Sequence, residues 1–127
     1  MNNLMKDKRG LVMGVANDKS IGWGIAKAIA DQGGELAFTY QGEALKKRVI
    51  PLADSVNSDI VLPCDVSNDV DIDNTFNELK KIWPKIDFLV HAIAFSDKDE
   101  LKGEYIDTSR ENFINTMYIS VYSFTAI

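Results

Sequence analysis

Cysteine is the first scarcity: among 127 residues only Cys64 is one. No internal disulfide can form, and that usage fits a reducing, cytoplasmic setting. No apolar run approaches the roughly eighteen residues of a membrane span. The opening Met1-Asn2-Asn3-Leu4-Met5-Lys6 lacks the apolar core of a secretory leader. Positive charge is in deficit, with 14 Lys and Arg against 19 Asp and Glu and a net charge of −5. That balance argues against nucleic acid or an anionic membrane as the main partner. Internal repeats and low-complexity stretches are absent as well. What remains is an ordinary globular composition, 46% hydrophobic and 26% charged, in a chain long enough for one domain and one core.

The most informative stretch is residues 10–24, Gly-Leu-Val-Met-Gly-Val-Ala-Asn-Asp-Lys-Ser-Ile-Gly-Trp-Gly. Residues 11–15 read as a buried strand, and Ile21, Ile25, Ala28 and Ile29 recur at helical spacing. Strand, glycine-rich turn and helix together open a nucleotide-binding βαβ unit. Gly14 lets the backbone turn where the strand ends and lets a phosphate approach. Ser20 is placed to cap the helix, leaving N–H groups at Ser20, Ile21 and Gly22 to face an anion. The spacing departs from the usual G-x-G-x-x-G.

Further along, Asp31-Gln32-Gly33-Gly34 supplies a helix stop, with glycine available for the left-handed C′ position, and residues 35–41 form a second strand. Residues 43–56 read as a helix with Leu45, Val49, Leu52 and Val56 on one face, which Pro51 should kink or interrupt. Residues 59–64 give a third strand, and Pro63 suits an edge position. Ile72, Phe76, Leu79 and Ile82 mark a third helix ended by Trp83-Pro84. Residues 86–93 are the most apolar strand, as in the middle of a covered parallel sheet. A polar loop of residues 96–106 follows. Thr108-Ser109-Arg110-Glu111 then reads as a capping box for a last helix, with Phe113, Met117, Val121 and Phe124 on one face. Right-handed crossovers give an α/β, doubly wound parallel sheet in strand order 3-2-1-4. The last helix reaches Ile127 without a stop signal, and the fourth strand has one unpaired edge. Residues 1–127 therefore read as the front part of a single domain, expected to associate or aggregate through that exposed apolar surface.

At this point the sequence resembles the NADH-dependent enoyl-acyl-carrier-protein reductases, divergent short-chain dehydrogenases of bacterial fatty-acid synthesis. The resemblance covers essentially the whole chain. It rests on Gly14-Val15-Ala16 with Ser20-Ile21-Gly22-Trp23-Gly24, on Glu35-Leu36-Ala37-Phe38-Thr39-Tyr40-Gln41, and on Asp59-Ile60-Val61-Leu62. Cys64-Asp65-Val66, Trp83-Pro84-Lys85 and Val90-His91-Ala92-Ile93-Ala94-Phe95 complete it. The long glycine spacing with Ser-Ile inside it is characteristic of that family.

The resemblance implies a Rossmann-like fold, NADH as cofactor, an enoyl-acyl-carrier-protein substrate and a homotetramer. Gly14, Ser20 and Ile21 would hold the pyrophosphate and neighbouring ribose. Gln41 stands where many dinucleotide enzymes place an acidic residue for the ribose 2′-OH. Gln41-Gly42 puts no cation at that corner, which favours NADH over NADPH, although Lys46, Lys47 and Arg48 follow and temper this. Asp65 and Val66 would bracket the adenine. Ile93 and Ala94 would pass beside the ribose and nicotinamide, and Phe95 and Ser96 would enter the acyl-substrate pocket.

Two residues depart from the family's pattern. Gly22 stands where alanine is common, a small change. Ala94 stands where many members have glycine, and its methyl narrows the wall of the substrate and inhibitor pocket. In a complete enzyme, Ala94→Gly should therefore tighten binding of flat aromatic inhibitors; unchanged affinity would contradict this. A third departure is an absence. The enolate formed by hydride addition needs a hydrogen-bond donor, in this family a tyrosine backed by a lysine seven residues later. The last lysine here is Lys102, so Tyr105, Tyr118 and Tyr122 have none downstream. Tyr40 and Lys47 match the spacing by number, but on the strand at the adenine side. No catalytic residue is assigned within residues 1–127.

Plainer readings stand beside these. The turn from Gly14 to Gly24 could be structural alone, and Asp65 could cap the next segment. His91, inside an apolar strand, reads as a hydrogen-bonded core residue, and Cys64 as inert packing. Asp65, Asp69, Asp71 and Asp73 fail the calcium-loop pattern, because Asn74 and Lys80 stand where it needs glycine and glutamate; they suit the positive end of the third helix instead. The stripe on the last helix reads as core or subunit contact. Alternative functions are another short-chain dehydrogenase, with a different carbonyl or enoyl substrate, or a catalytically inactive nucleotide-binding fragment.

Overall fold

A computed structural model describes residues 3–127. Met1 and Asn2, part of the stretch read as lacking a secretory leader, lie outside them. Four strands form one parallel sheet: β1 (Arg9–Met13), β2 (Glu35–Tyr40), β3 (Val61–Pro63) and β4 (Phe88–His91), in the order β3-β2-β1-β4. Pro63 sits on the edge strand, paired with Tyr40 across the ladder, where its missing N–H costs nothing on the outer side. Strand β4 is shorter than residues 86–93 suggested and only half-buried. It pairs with β1 alone, so one of its sides carries no neighbour among the described residues. Just before it, Asp87 turns its carboxylate to accept from the Arg9 N–H at 2.9 Å.

Helices α1 (Ile21–Asp31) and α2 (Glu43–Ser55) cover one face of the sheet; α3 (Asp69–Ile82) covers the other. The alternation of β1 builds both cores. Val12 faces Trp23, Ala26, Phe38, Val49 and Ala53, while Leu11 and Met13 face Ile72, Leu79 and Trp83. No helix among the described residues is long and apolar enough to cross a membrane.

Several local expectations are corrected. The buried face of α1 is Gly22, Trp23 and Ala26, whereas Ile21, Ile25 and Ala28 are exposed. Close approach to the sheet selects small residues: a Cβ on Gly22 would already sit 3.3 Å from that of Ala92. Gly33 does end α1 with a positive φ of 87°, and the Gly34 and Gly33 N–H groups close back on the Ile29 and Ala30 carbonyls. Helix α2 runs unbroken through Pro51. Val49 and Ala53 anchor it on both sides of the proline, and the Lys47 carbonyl that loses its partner lies on the exposed side. In α3, Thr75 joins Ile72 and Leu79 in the core, while Ile82 is exposed. Thr75 does so because its hydroxyl reaches the Pro63 and Asp71 carbonyls, each at 2.8 Å.

After β4 the chain makes two 3₁₀ turns (Lys98–Leu101 and Tyr105–Asp107) before α4 (Arg110–Met117), a π-helical turn (Tyr118–Tyr122) and α5 (Ser123–Ala126). The cap of α4 is Ser109, one residue past the Thr108 that opens the expected box, and it accepts from the Asn112 N–H at 3.0 Å. Its own N–H is taken by Glu100, from the loop and not from the helix. Phe113, Met117, Val121 and Phe124 are exposed, not core. The side of this helical segment that meets the sheet is mixed: Ile119, Ala126 and Ile127 pack on the core, while Asn112, Ser120 and Ser123 partner groups of β4 and the loop after it.

Candidate functional site

Because the strands are parallel, their carboxyl ends open on one side, where α/β sheets bind ligands. At the end of β1, Gly14 adopts φ +104°, and a Cβ there would lie 2.0 Å from the Ala92 carbonyl oxygen. The Ala92 N–H donates to the Met13 carbonyl at 2.9 Å, so the exit of β4 is locked against the exit of β1. Only glycine satisfies both the backbone and the space.

The loop that follows differs in one respect from the sequence expectation. Ser20 holds the N-cap position of α1, but its hydroxyl does not cap the helix. It turns back to accept from the Ala16 and Asn17 N–H groups at 3.0 and 3.1 Å, which compete with the helix for the same oxygen. The Ser20 N–H is itself bonded to the Asn17 carbonyl. Of the three N–H groups expected to face an anion, that of Ser20 is therefore already engaged. The first turn of α1 carries no acidic residue, so the positive end of the helix stays uncompensated.

A cleft of about 390 Å³ runs over the strand ends. Gly14, Gln41, Asp65, Val66, Ile93, Ala94 and Phe95 line it; Ser20, Ile21 and Ser96 do not. Ile21 projects outward at 81% exposure, and the Ser96 hydroxyl accepts from the Asn112 amide at 3.1 Å. Sequence reading missed Thr39 and Tyr40, although they end β2 and a parallel sheet should have flagged them. It also missed Asn115, on α4, and Ile119, in the π-helical turn.

Asp65 is held by its neighbour. Its Oδ1 accepts from both the Ser67 N–H (2.9 Å) and the Ser67 hydroxyl (2.6 Å). These bonds, the hydroxyl first, draw its carboxyl below the usual carboxylate range, with Gln41 adding to the effect. The Oδ2 is left for another donor. Asp65 does not cap α3: Asn68 does, accepting from the Asp71 N–H at 3.2 Å. Asp69 and Asp71 occupy the first turn of α3, where carboxylates oppose the helix dipole favourably. Burial raises the Cys64 thiol, which suits packing and not nucleophilic chemistry. His91 bonds through Nε2 to the Ser123 hydroxyl at 2.7 Å and meets Phe124 edge-on at 5.4 Å, a structural role.

Comparison with known proteins converges on one family. The family model described as enoyl-(acyl carrier protein) reductase matches residues 14–127. An enoyl-[acyl-carrier-protein] reductase [NADH] of Rhizobium meliloti is 64% identical over all of this chain and 47% of its own length. FabI from Candidatus Liberibacter asiaticus superposes with a TM-score of 0.98 at 55% identity, covering 100% of this chain and 49% of that one. An Anaplasma phagocytophilum enoyl-(acyl-carrier-protein) reductase solved in complex with NAD gives 0.95 at 55% identity, with 100% and 49% covered. The chain spans about half the length of the curated relatives it matches.

Proposed function

The chain belongs to the enoyl-(acyl-carrier-protein) reductase family, and from that premise we propose that it forms the NADH-binding part of a reductase of enoyl thioesters in bacterial fatty-acid synthesis. One observation carries the reading. All four strand ends converge on a single cleft, and at its lining Gly14 comes so close to the Ala92 carbonyl that no Cβ fits between them. Its volume lies within the ~300–1,000 Å³ typical of small-molecule sites.

When bound, NADH supplies the hydride that reduces the enoyl double bond. The chain's own residues bind and orient it. The N–H groups of Ile21 and Gly22, beside Gly14, receive the pyrophosphate, and Ser20 shapes the loop that presents them. Gln41 takes the adenine-side ribose without a cation at that corner. Asp65 accepts from the adenine amino group through its free oxygen, with the Val66 backbone alongside. Ile93 and Ala94 border the nicotinamide end, and Phe95 and Ser96 lead toward the acyl group. The hydrogen-bond donor for the enolate is not among residues 1–127. The same reading implies a cytoplasmic homotetramer with the exposed stripe of Phe113, Met117, Val121 and Phe124 in a subunit contact.

The test is NADH consumption by the full product of the reading frame that encodes this chain. Oxidation that depends on an enoyl thioester is expected from that product, and NADH binding without turnover from residues 1–127 alone. Turnover by residues 1–127, or a carbonyl substrate preferred over the enoyl thioester, would contradict the assignment.

A further inference from the structure

The π-helical turn between α4 and α5 is left over once the cleft has been assigned, and two of its hydroxyls, those of Tyr118 and Ser120, bond the backbone of cleft-lining residues. Tyr118 donates through its hydroxyl to the Ser67 carbonyl at 3.1 Å, beyond β3. Ser123 holds His91 at the end of β4. Ser120, between them, makes a two-way contact with one residue: its hydroxyl accepts from the Phe95 N–H at 3.0 Å and donates to the Phe95 carbonyl at 3.3 Å. Phe95 is otherwise poorly supported, being exposed and beyond the last ladder pair of β4. A π turn adds a residue to the helical repeat and re-aims the side chains around it, which is why such turns recur at functional sites. Here it brings Ser120 toward the cleft wall, while Ile119 lines the cleft beside it.

We propose that Ser120 is a positioning residue: it fixes the Phe95 backbone as the wall against which the acyl substrate lies. This rests on the reductase reading above. Ser120 touches neither cofactor nor substrate, so its effect should fall on substrate alignment and leave cofactor affinity alone. A loosened wall of this kind changes rate through geometry.

The experiment compares Ser120→Ala and Ser120→Thr in the full product of the reading frame, reading KM for an enoyl thioester, KM for NADH, kcat and melting temperature. Ser120→Ala should raise the enoyl KM by about tenfold with the NADH KM unchanged, and Ser120→Thr, which keeps the hydroxyl, should restore it. Wild-type kinetics in the alanine variant would overturn the proposal. So would a threonine variant no better than alanine, or both KM values moving together with a lowered melting temperature. A wild-type product without enoyl-dependent turnover would instead overturn the reductase reading beneath it.

Discussion

Gly14→Ala is expected to abolish NADH binding and to destabilise the fold by about 2–6 kcal/mol. The estimate joins ~1–3 kcal/mol for a non-glycine residue in a strained backbone region to ~1–3 kcal/mol for overpacking. Both apply because φ is +104° and the added methyl would meet the Ala92 carbonyl at 2.0 Å. That carbonyl belongs to backbone held by the Met13 ladder bond and cannot swing aside as a long side chain would. The loss is a large share of the ~5–15 kcal/mol that keeps a domain folded. Gly24→Ala is the companion control. No atom lies within 4 Å of a Cβ there, and the site is inside α1, so ~0.5–1 kcal/mol of stabilisation is expected. Denaturant melts of the two variants beside NADH titrations separate the cases; a Gly14→Ala protein with normal affinity would refute the account of this turn.

Asp65→Asn carries the second large effect. Asparagine keeps an oxygen for the Ser67 turn but replaces the free carboxylate oxygen with an amide donor, which would face the adenine amino group as a like partner. Losing a hydrogen bond to a charged acceptor is worth ~1.5–3 kcal/mol, so NADH affinity should fall by roughly ten- to a hundredfold. The pH dependence has a definite sign. The folded carboxyl is drawn below the ordinary aspartate value by Ser67. Its contribution to stability is therefore present above the unfolded pKa of about 3.9 and is lost as pH falls through the lower folded value. Acid melts of wild type and Asp65→Asn should converge below that window and diverge above it.

The strand order was legible because parallel strands leave strong marks: Pro63 at the edge, apolar residues on both faces of the central strands, and glycine where β1 ends. The cleft was legible for the same reason, since most of its lining residues stand within four positions past a strand. What escaped was decided by tertiary partners. The contact face of α1 follows small size, at Gly22 and Ala26, where hydrophobic spacing had suggested Ile21 and Ile25. Pro51 stays within α2 because buried neighbours hold the helix on either side. The cap of α4 borrows Glu100 from a loop that no local pattern connects to it. Ser20 looked like a cap in sequence, yet the nearby Ala16 and Asn17 N–H groups claim its oxygen. The apolar stripe on α4, the π turn and α5 turned outward because a different apolar set, Ile119, Ala126 and Ile127, packs on the core beside the Ser120 and Ser123 hydroxyls.

Amide hydrogen exchange with and without NADH tests the central claim most directly. Protection is expected at Gly14, Ile21 and Gly22, at Gln41, across residues 65–67 and across residues 93–95, all at the carboxyl ends of the strands. The second concavity, at the opposite ends near Gly34, Ser58 and Ile60, should exchange as before. Protection confined to that opposite side, or none at the four strand ends, would contradict the account.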